Sequence, residues 1–268
     1  MKPGVNTLNE NVDLLLARLR IAAAADKRGE RRARIFGVVT IVLIVAFVGA
    51  CDLIVDTIQV AWPFKALAIA LLIVLVLLVA RRWVVLRSQD LDDRKLQITQ
   101  KVLGILRADI PKDARVALTV DLRGYRTGGQ VVNQKGSVTL YRHAWLTLGV
   151  PLADGNTITL EITDRVKRKA KRKRSREQYR SDVDLALRMD KRYGDAADVV
   201  RRLRQLPAPK PFRVVTVAVG KQVDGRARRF SARLSTQVTL SESEVLRGDA
   251  VLGVVRWAYA GLVARGAA

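Results

Sequence analysis

The strongest chemical signal in the sequence is a dense run of positive charge at residues 165–180, RVKRKAKRKRSREQYR. Ten lysines and arginines stand there against one acid, Glu177. Their mutual repulsion and the shortage of apolar residues predict a solvated arm or the exposed start of a helix. Clustered cations neutralise phosphates and release counterions, so the expected chemistry is anion binding that weakens steeply with salt. The candidate anion-binding residues are Lys167, Arg168, Lys169, Lys171, Arg172, Lys173, Arg174 and Arg176.

Three kinds of anionic partner fit this arm: anionic lipid head groups, nucleic acid or an acidic protein. A charged segment that is merely solvated is the fourth interpretation. Lipid attraction is worth about 1 kcal/mol per basic residue near a membrane surface. Tyr179 is the only aromatic residue in the run, so base stacking has little support. Arginines elsewhere add to the positive charge: Arg201, Arg202, Arg204, Arg226, Arg228 and Arg229.

No catalytic, cofactor or metal-binding pattern is found. The chain has one histidine, His143, and one cysteine, Cys51, which lies in an apolar run. A metal site or a nucleophile–base pair would need further partners that no spacing identifies. The glycines at 124, 128 and 129 are not followed by a predicted helix, so they do not indicate a phosphate-binding loop. The sequence therefore favours a non-enzymatic protein without a cofactor, and an enzyme with an unrecognised site is the alternative.

Two apolar runs predict a transmembrane helical hairpin over residues 36–86. The runs are Phe36–Val55 and Ala66–Ala80, and the spans are expected at about 36–56 and 62–82. About 20 helical residues cross a hydrocarbon core of about 30 Å. The second run reaches this length if its flanks enter the interfaces. Asp52 and Asp56 lie near the expected turn and are interpreted as carboxylates at the water interface.

Basic residues flank the hairpin on both outer ends, and the short turn has few charges. This distribution predicts an integral membrane protein with both termini in the cytoplasm and the turn outside. The basic residues before the first span are Lys27, Arg28, Arg31, Arg32 and Arg34, and those after the second are Arg81, Arg82 and Arg87. The net charge of +23 over 268 residues again favours anionic partners.

The remaining patterns predict four further helices, one before the hairpin and three within residues 88–268. Residues 1–35 form an amphipathic cytoplasmic helix, which either lies on the membrane or packs against the soluble domain or a second copy of the chain. A second helix is expected at Ser88–Arg107, where Ser88 caps its start. A third is expected at Ser181–Leu206, ahead of a proline-rich linker. A fourth starts at the capping box of Ser241 and runs to about residue 265.

Alternating apolar residues predict antiparallel strands between these helices. A loop is expected over residues 124–129. Asp154-Gly155-Asn156 and Asp224-Gly225 are typical of hairpin turns. The expected strands are 115–122, 137–141, 144–150, 157–163, 212–219 and 229–240.

The sequence thus predicts an α+β membrane protein, in which a two-helix transmembrane hairpin precedes a cytoplasmic domain of antiparallel strands with packed helices at residues 88–268. The first functional hypothesis is a membrane-anchored protein whose basic arm binds an anionic partner. The second is a membrane-active effector whose hairpins form homo-oligomers and perturb the bilayer. The third is a membrane-tethered enzyme.

Overall fold

A computed structural model describes residues 4–56, 62–88, 91–170, 175–220, 222–223, 226–241, 244 and 246–262. The helices are α1 (Val12–Asp56), α2 (Trp62–Ser88), α3 (Asp93–Leu106), α4 (Tyr125–Gly128), α5 (Ala196–Gln205) and α6 (Gly248–Ala260). The strands are β1 (Val5–Asn11), β2 (Arg115–Asp121), β3 (Gln130–Lys135), β4 (Val138–Pro151), β5 (Thr157–Ala170), β6 (Ser175–Arg188), β7 (Phe212–Val219), β8 (Gln222–Val223), β9 (Arg226–Ala227) and β10 (Arg229–Thr236). Residues 1–21 and 91–268 form one unit, the sheet unit, and residues 22–90 form a second, the apolar unit.

One antiparallel sheet dominates the sheet unit. Its strand order is β1-β2-β4-β5-β6-β10-β7, and β3 pairs with the first half of β4. The hairpin turn between β4 and β5 lies at the predicted place, and Gly155 there has a φ of +80°, which favours glycine. The predicted α+β class, with antiparallel strands and packed helices, is confirmed.

The sheet buries one face, the inner face, and leaves the other, the outer face, largely to solvent. Period-two alternation produces this division, because successive side chains of a strand point to opposite faces. Thr147 and Thr159 are exposed on the outer face, and α3 and α6 cover the inner face. The buried inner-face residues of the three long strands include Leu146, Leu148, Ile158, Leu160, Ile162, Val183, Leu185 and Leu187.

The helix predicted over residues 1–35 is wrong at its start, because Val5–Asn11 is strand β1. It pairs with β2 along its whole length. Asparagine favours caps and turns over helix interiors, and the free edge of β2 offers backbone partners. Asn11 then caps α1, since its Oδ1 accepts a hydrogen bond of 2.9 Å from the backbone N–H of Asp13. Leu15 and Leu19 are fully buried, so this first part of α1 packs within the sheet unit.

The helix predicted at Ser181–Leu206 is also wrong. Strand β6 extends to Arg188, and the α-helical part of this described segment is Ala196–Gln205. Val183 and Leu187 are four residues apart, which resembles a helix period. Leu185 between them is also buried, so the true period is two. Asp195 caps α5 by accepting a hydrogen bond of 2.9 Å from the backbone N–H of Ala197.

The basic run is not a free arm in its described part. Residues 165–170 belong to β5 and 175–180 to β6, and the two segments pair in register. Strand β5 also pairs with β4 over residues 165–169, so backbone hydrogen bonds on both sides oppose the charge repulsion. Residues 171–174 lie outside the described part of the chain.

Smaller corrections concern element ends. The two strands predicted at 137–141 and 144–150 are one strand, β4, with a bulge between Ala144 and Leu146. The loop predicted at 124–129 contains the single turn α4 and leads into β3. Asp92, not Ser88, caps α3. Helix α6 begins at Gly248, after the predicted capping box, of which residues 242 and 243 are not described. The Asp224-Gly225 turn is likewise not described.

The apolar unit contains the long apolar part of α1 and the whole of α2. Among the described residues, the segment Val12–Gly49 is the one helix long and apolar enough to cross a membrane. Gly37 lies against Trp83, since a Cβ at position 37 would lie 3.2 Å from the indole Nε1. The two spans predicted between residues 36 and 86 stay a prediction. The side chains of Cys51, Asp52 and Asp56 are outside those described.

Candidate anion-binding surface

The long strands extend beyond the hydrophobic core as a four-stranded ribbon. It consists of residues 130–135 of β3, 138–142 of β4, 165–170 of β5 and 175–180 of β6, and we call it the basic ribbon. Strand register fixes which side chains share a face, because directly paired residues point the same way. Arg142, Arg165 and Arg180 are paired in one row across three strands. Lys169 and Arg176 form a second directly opposed pair.

Most of the basic side chains of the ribbon point to the outer face. His143 and Val166 are buried on the inner face, so their neighbours along the strand point outward. Lys167 and Lys169 follow Arg165 at alternate positions along β5. The outward-pointing set is Lys135, Arg142, Arg165, Lys167, Lys169, Arg176 and Arg180.

Two of these arginines are neutralised within the fold. The Nε of Arg165 lies 2.6 Å from Oδ2 of Asp182, and the Nε of Arg180 lies 3.4 Å from its Oδ1. Asp182 is 2% exposed, and its carboxylate also accepts a hydrogen bond of 2.5 Å from Ser235. These two arginines therefore help to hold the base of the ribbon together through Asp182.

Five basic residues of the outer face have no such partner among the described residues. We call this set the basic face: Lys135, Arg142, Lys167, Lys169 and Arg176. All five are exposed, and no described carboxylate lies within 4.0 Å of their charged nitrogens. Like charges directly opposed across strands destabilise a sheet. A cluster of exposed cations without a described internal partner attracts anions, so the basic face is a candidate anion-binding surface.

The basic face contains three of the eight residues expected from the sequence. Lys167, Lys169 and Arg176 belong to it. Arg168 does not, because it points to the inner side and its Nε lies 3.7 Å from Oε1 of Glu177. Lys171, Arg172, Lys173 and Arg174 are not described. The arginines of α5 are elsewhere: Arg202 donates to the carbonyl of Gly261 at 2.8 Å and Arg204 to that of Val217 at 3.1 Å.

Sequence reasoning missed Lys135 and Arg142. They precede the basic run by more than twenty residues, and register alone brings them beside it. A signal did exist for Arg142. Counting back from the turn at Asp154-Gly155-Asn156 pairs the start of β4 with the basic part of β5, allowing for the bulge at Trp145.

The inner side of the ribbon is aromatic and closed. The ring of Tyr125 lies edge-to-face with Tyr141 at 5.2 Å and with Tyr179 at 6.0 Å. Glu177 accepts hydrogen bonds from the Tyr179 hydroxyl and, at 2.7 Å, from Arg126. Burial acts to raise the pKa of Glu177, but these hydrogen bonds and one from Tyr125 outweigh it and lower the pKa. The tyrosines thus pack against each other and leave the basic face without aromatic rings.

A network of buried polar groups lies where the basic ribbon joins the hydrophobic core. Lys95 of α3 is 1% exposed, and its Nζ donates to the carbonyl of Arg123 at 2.5 Å and lies 3.1 Å from Nδ1 of His143. The other ring nitrogen, Nε2, is 3.1 Å from Oδ2 of Asp121. A Cβ at Gly128 would come within 2.7 Å of the His143 ring, so α4 closes tightly over it.

Each charged group of this buried polar network has a partner of opposite charge when His143 is neutral. Lys95 lies 3.4 Å from Asp92, and Arg123 lies 2.8 Å from Asp121. Burial and the positive Lys95 lower the pKa of His143, although Asp121 opposes them. Burial acts to raise the pKa of Asp121, but hydrogen bonds from Arg123 and His143 reverse the shift and hold the pKa far below its usual range. A proton on Nδ1 would point at the Lys95 ammonium, so the folded chain favours neutral His143.

We expect the free energy of unfolding to fall as pH drops below about 6.5. The unfolded chain then binds a proton on His143 that the folded chain, with its lowered histidine pKa, does not bind. The loss approaches about 1.4 kcal/mol per pH unit until the folded pKa is reached. Urea unfolding of the full chain in non-ionic detergent at pH 7.5, 6.5 and 5.5, followed by tryptophan fluorescence, measures it.

His143→Gln is the control for this pH dependence. His143 is the only histidine, so the variant should show a nearly flat stability over the same pH range. A variant that kept the wild-type slope would contradict the assignment of the effect to His143.

The outer face also carries one open cleft with paired acids. Glu161 and Asp184 are directly opposed on β5 and β6, within a cleft of about 330 Å³. Asp184 is already engaged, since it accepts hydrogen bonds of 2.6 and 3.1 Å from Arg233. The Asp184 carboxylate is thus occupied by Arg233 within the fold, which gives the cleft little support as a catalytic site.

The chain matches no protein-family model, no curated protein and no solved structure.

Proposed function

We propose that this chain is a non-enzymatic, integral membrane protein whose sheet unit binds a polyanionic partner through the basic face. The observation that carries the proposal is the separation of the ribbon cations into two classes. Arg165, Arg168 and Arg180 are paired with acids of the fold, whereas no described carboxylate lies within 4.0 Å of a charged nitrogen of the basic face. Its ligand chemistry is a set of phosphates or carboxylates in water-accessible positions.

The membrane part of the proposal rests on α1 and on chain connectivity. The long apolar segment of α1 supports one crossing by its length and composition. The chain leaves the sheet unit at residue 21 and returns to it at residue 91. Because β1 pairs with β2, both ends of the intervening segment belong to the same side of any membrane, which requires an even number of crossings. Helix α2, in contact with α1 through Trp83 and Gly37, supplies the second crossing of a hairpin.

The orientation follows from basic residues on both flanks of the hairpin. Lys27, Arg28 and Arg31 precede the first crossing and Arg81 and Arg82 follow the second, which favours the cytoplasm for the sheet unit and both termini. The basic face then meets anions of the cytoplasmic side.

A variant with Arg142, Lys167, Lys169 and Arg176 all changed to glutamine tests the basic face. In non-ionic detergent, the full wild-type chain should bind fluorescently labelled inorganic polyphosphate with an affinity that falls steeply between 50 and 300 mM NaCl. The variant should bind more weakly, and the slope of log K against log salt should become shallower by roughly 3, since each lost phosphate contact removes about 0.7.

The control variant removes the same charge elsewhere. Lys112, Arg115, Lys210 and Arg213 are exposed and lie outside the ribbon, and their change to glutamine should leave the salt slope nearly as in wild type. Equal losses in the two variants would show that net charge, not the basic face, governs binding, and the proposal would then fail.

The effector alternative draws on the apolar unit. Helix α1 exposes large apolar side chains such as Ile41, Val45 and Val48, which two copies of the chain could pack together. This alternative expects dye release from liposomes when the sheet unit is crosslinked or ligand-bound. The anion-binding proposal expects intact liposomes under the same treatment.

A further inference from the structure

We infer that the partner of the basic face is the anionic leaflet of a lipid membrane. The inference rests on the proposed function and names the source of its anions. It draws on the shape of the basic face, on its apolar margin, on the absence of aromatic rings and on the proposed anchor.

The charges of the basic face are spread in two dimensions. Lys135, Arg142, Lys167 and Arg176 come from four different strands, and neighbouring strands are about 4.8 Å apart. Lys167 and Lys169 are alternate residues of one strand, which places them about 6.6 Å apart along it. A leaflet is a two-dimensional array of head groups and can meet all of these side chains at once. A nucleic-acid duplex presents its phosphates on a narrow cylinder and would meet fewer of them.

Apolar side chains lie among and beside these charges. Val138 and Leu140 of β4 point to the outer face between Lys135, Lys167 and Lys169, and both are half-buried. Val132, at the irregularity of the edge strand β3, is 64% exposed. Apolar groups surrounded by cations suit the boundary between head groups and acyl chains. They offer nothing to a phosphodiester backbone.

Aromatic rings are missing where a single-stranded nucleic acid would need them. Single-strand binding combines a basic groove with rings on which bases stack. The tyrosines of this end of the sheet, Tyr125, Tyr141 and Tyr179, pack on each other on the inner side. The proposed anchor adds to the case, because a tethered surface meets the leaflet at a high effective concentration.

The experiment uses the full chain in nanodiscs of phosphatidylcholine, so that the anchor is occupied by neutral lipid. Discs are mixed with sucrose-free vesicles containing 30% phosphatidylserine, with vesicles of pure phosphatidylcholine, and with duplex and single-stranded DNA and RNA at equal charge concentration. Co-flotation and fluorescence anisotropy are measured from 50 to 300 mM NaCl. The discs should bind the anionic vesicles, ignore the neutral ones and bind the nucleic acids at least tenfold more weakly.

Two variants sharpen the result. The glutamine variant at Arg142, Lys167, Lys169 and Arg176 should bind anionic vesicles roughly 600-fold more weakly at low salt, since each of the four basic residues near a leaflet contributes about fivefold. Val132→Asn should leave the salt slope unchanged and lower the binding that persists at 300 mM NaCl, because it removes only an apolar contact.

The outcomes separate the inference from the function on which it rests. Tighter binding of DNA or RNA than of anionic vesicles, lost in the glutamine variant, would overturn the leaflet and leave the anion-binding function standing. Vesicle binding that the glutamine variant retains, or no binding of any anion, would overturn both.

Discussion

A chain of residues 91–268 alone is expected not to fold stably, although it contains all but one of the strands. The missing part is residues 1–21, which belong to the same unit. They contribute β1, which pairs with β2 from Val5 to Asn11, and the buried side chains of Leu15 and Leu19. Burying one leucine is worth about 1.5–3 kcal/mol. Their joint loss is therefore comparable with the whole stability of an ordinary domain, about 5–15 kcal/mol.

Stable folding should be restored in a chain in which residues 1–21 are joined to residues 91–268 by a flexible glycine–serine linker. It should unfold cooperatively in urea, whereas residues 91–268 should aggregate or lack a transition. In the joined chain, Leu15→Asp with Leu19→Asp should again abolish the transition. A cooperative transition of residues 91–268 at the same urea concentration as the joined chain would contradict the packing of the N-terminal segment.

Asp164→Asn is expected to destabilise the sheet unit by about 3–5 kcal/mol. Its carboxylate lies 2.5 Å from Nη2 of Arg94 and accepts a hydrogen bond from Ser181, and the side chains of Asp164 and Arg94 are 7% and 15% exposed. Removing one partner of a buried ion pair leaves the other charge buried without compensation. The pair here links α3 to β5. Urea unfolding of the full chain in detergent measures this decrease in the free energy of unfolding.

Asp249→Asn is the matched control for Asp164→Asn. It breaks the pair of Asp249 with Lys101, whose nitrogen–oxygen distance is 2.7 Å but whose side chains are 73% and 47% exposed. Water solvates both partners there, so the expected loss is below about 1 kcal/mol. Comparable losses in the two variants would mean that Asp164 does not bear a buried charge in the folded chain.

The strands that the sequence predicted well are those whose local signals agree. β2 alternates between apolar and polar residues, β7 is rich in β-branched residues, and the turn at Gly155 fixes the hairpin of β4 and β5. The errors arose where a local pattern fitted two structures. The spacing of Val183 and Leu187 suits a helix, and only the neighbouring strands β5 and β10 select the extended form. Strand β1 is polar, and its partner β2 lies more than a hundred residues along the chain.

Anion binding could be proposed from the residue types, but the membership of the basic face could not be read from the sequence. Charge density indicated anion binding near residues 165–180, yet it could not separate Lys167 from Arg168. One faces outward and the other meets Glu177, a distinction that depends on strand alternation and pairing. Arg142 is part of the basic face only through the register of β4 with β5. The residue types indicate which class of ligand could bind. Strand register determines which of these residues lie together on one face.

The pairing of β1 with β2 also fixes an order of events during synthesis. Strand β1 is made first, but β2, its partner among the described strands, is made about a hundred residues later, after α1 and α2. Until then β1 has no backbone partner from β2, and the sheet has an open edge. Closing that edge converts the chain from β1 to β2 into a ring held by backbone hydrogen bonds. This pair therefore brings the two points at which the chain leaves and re-enters the sheet unit into one folded body.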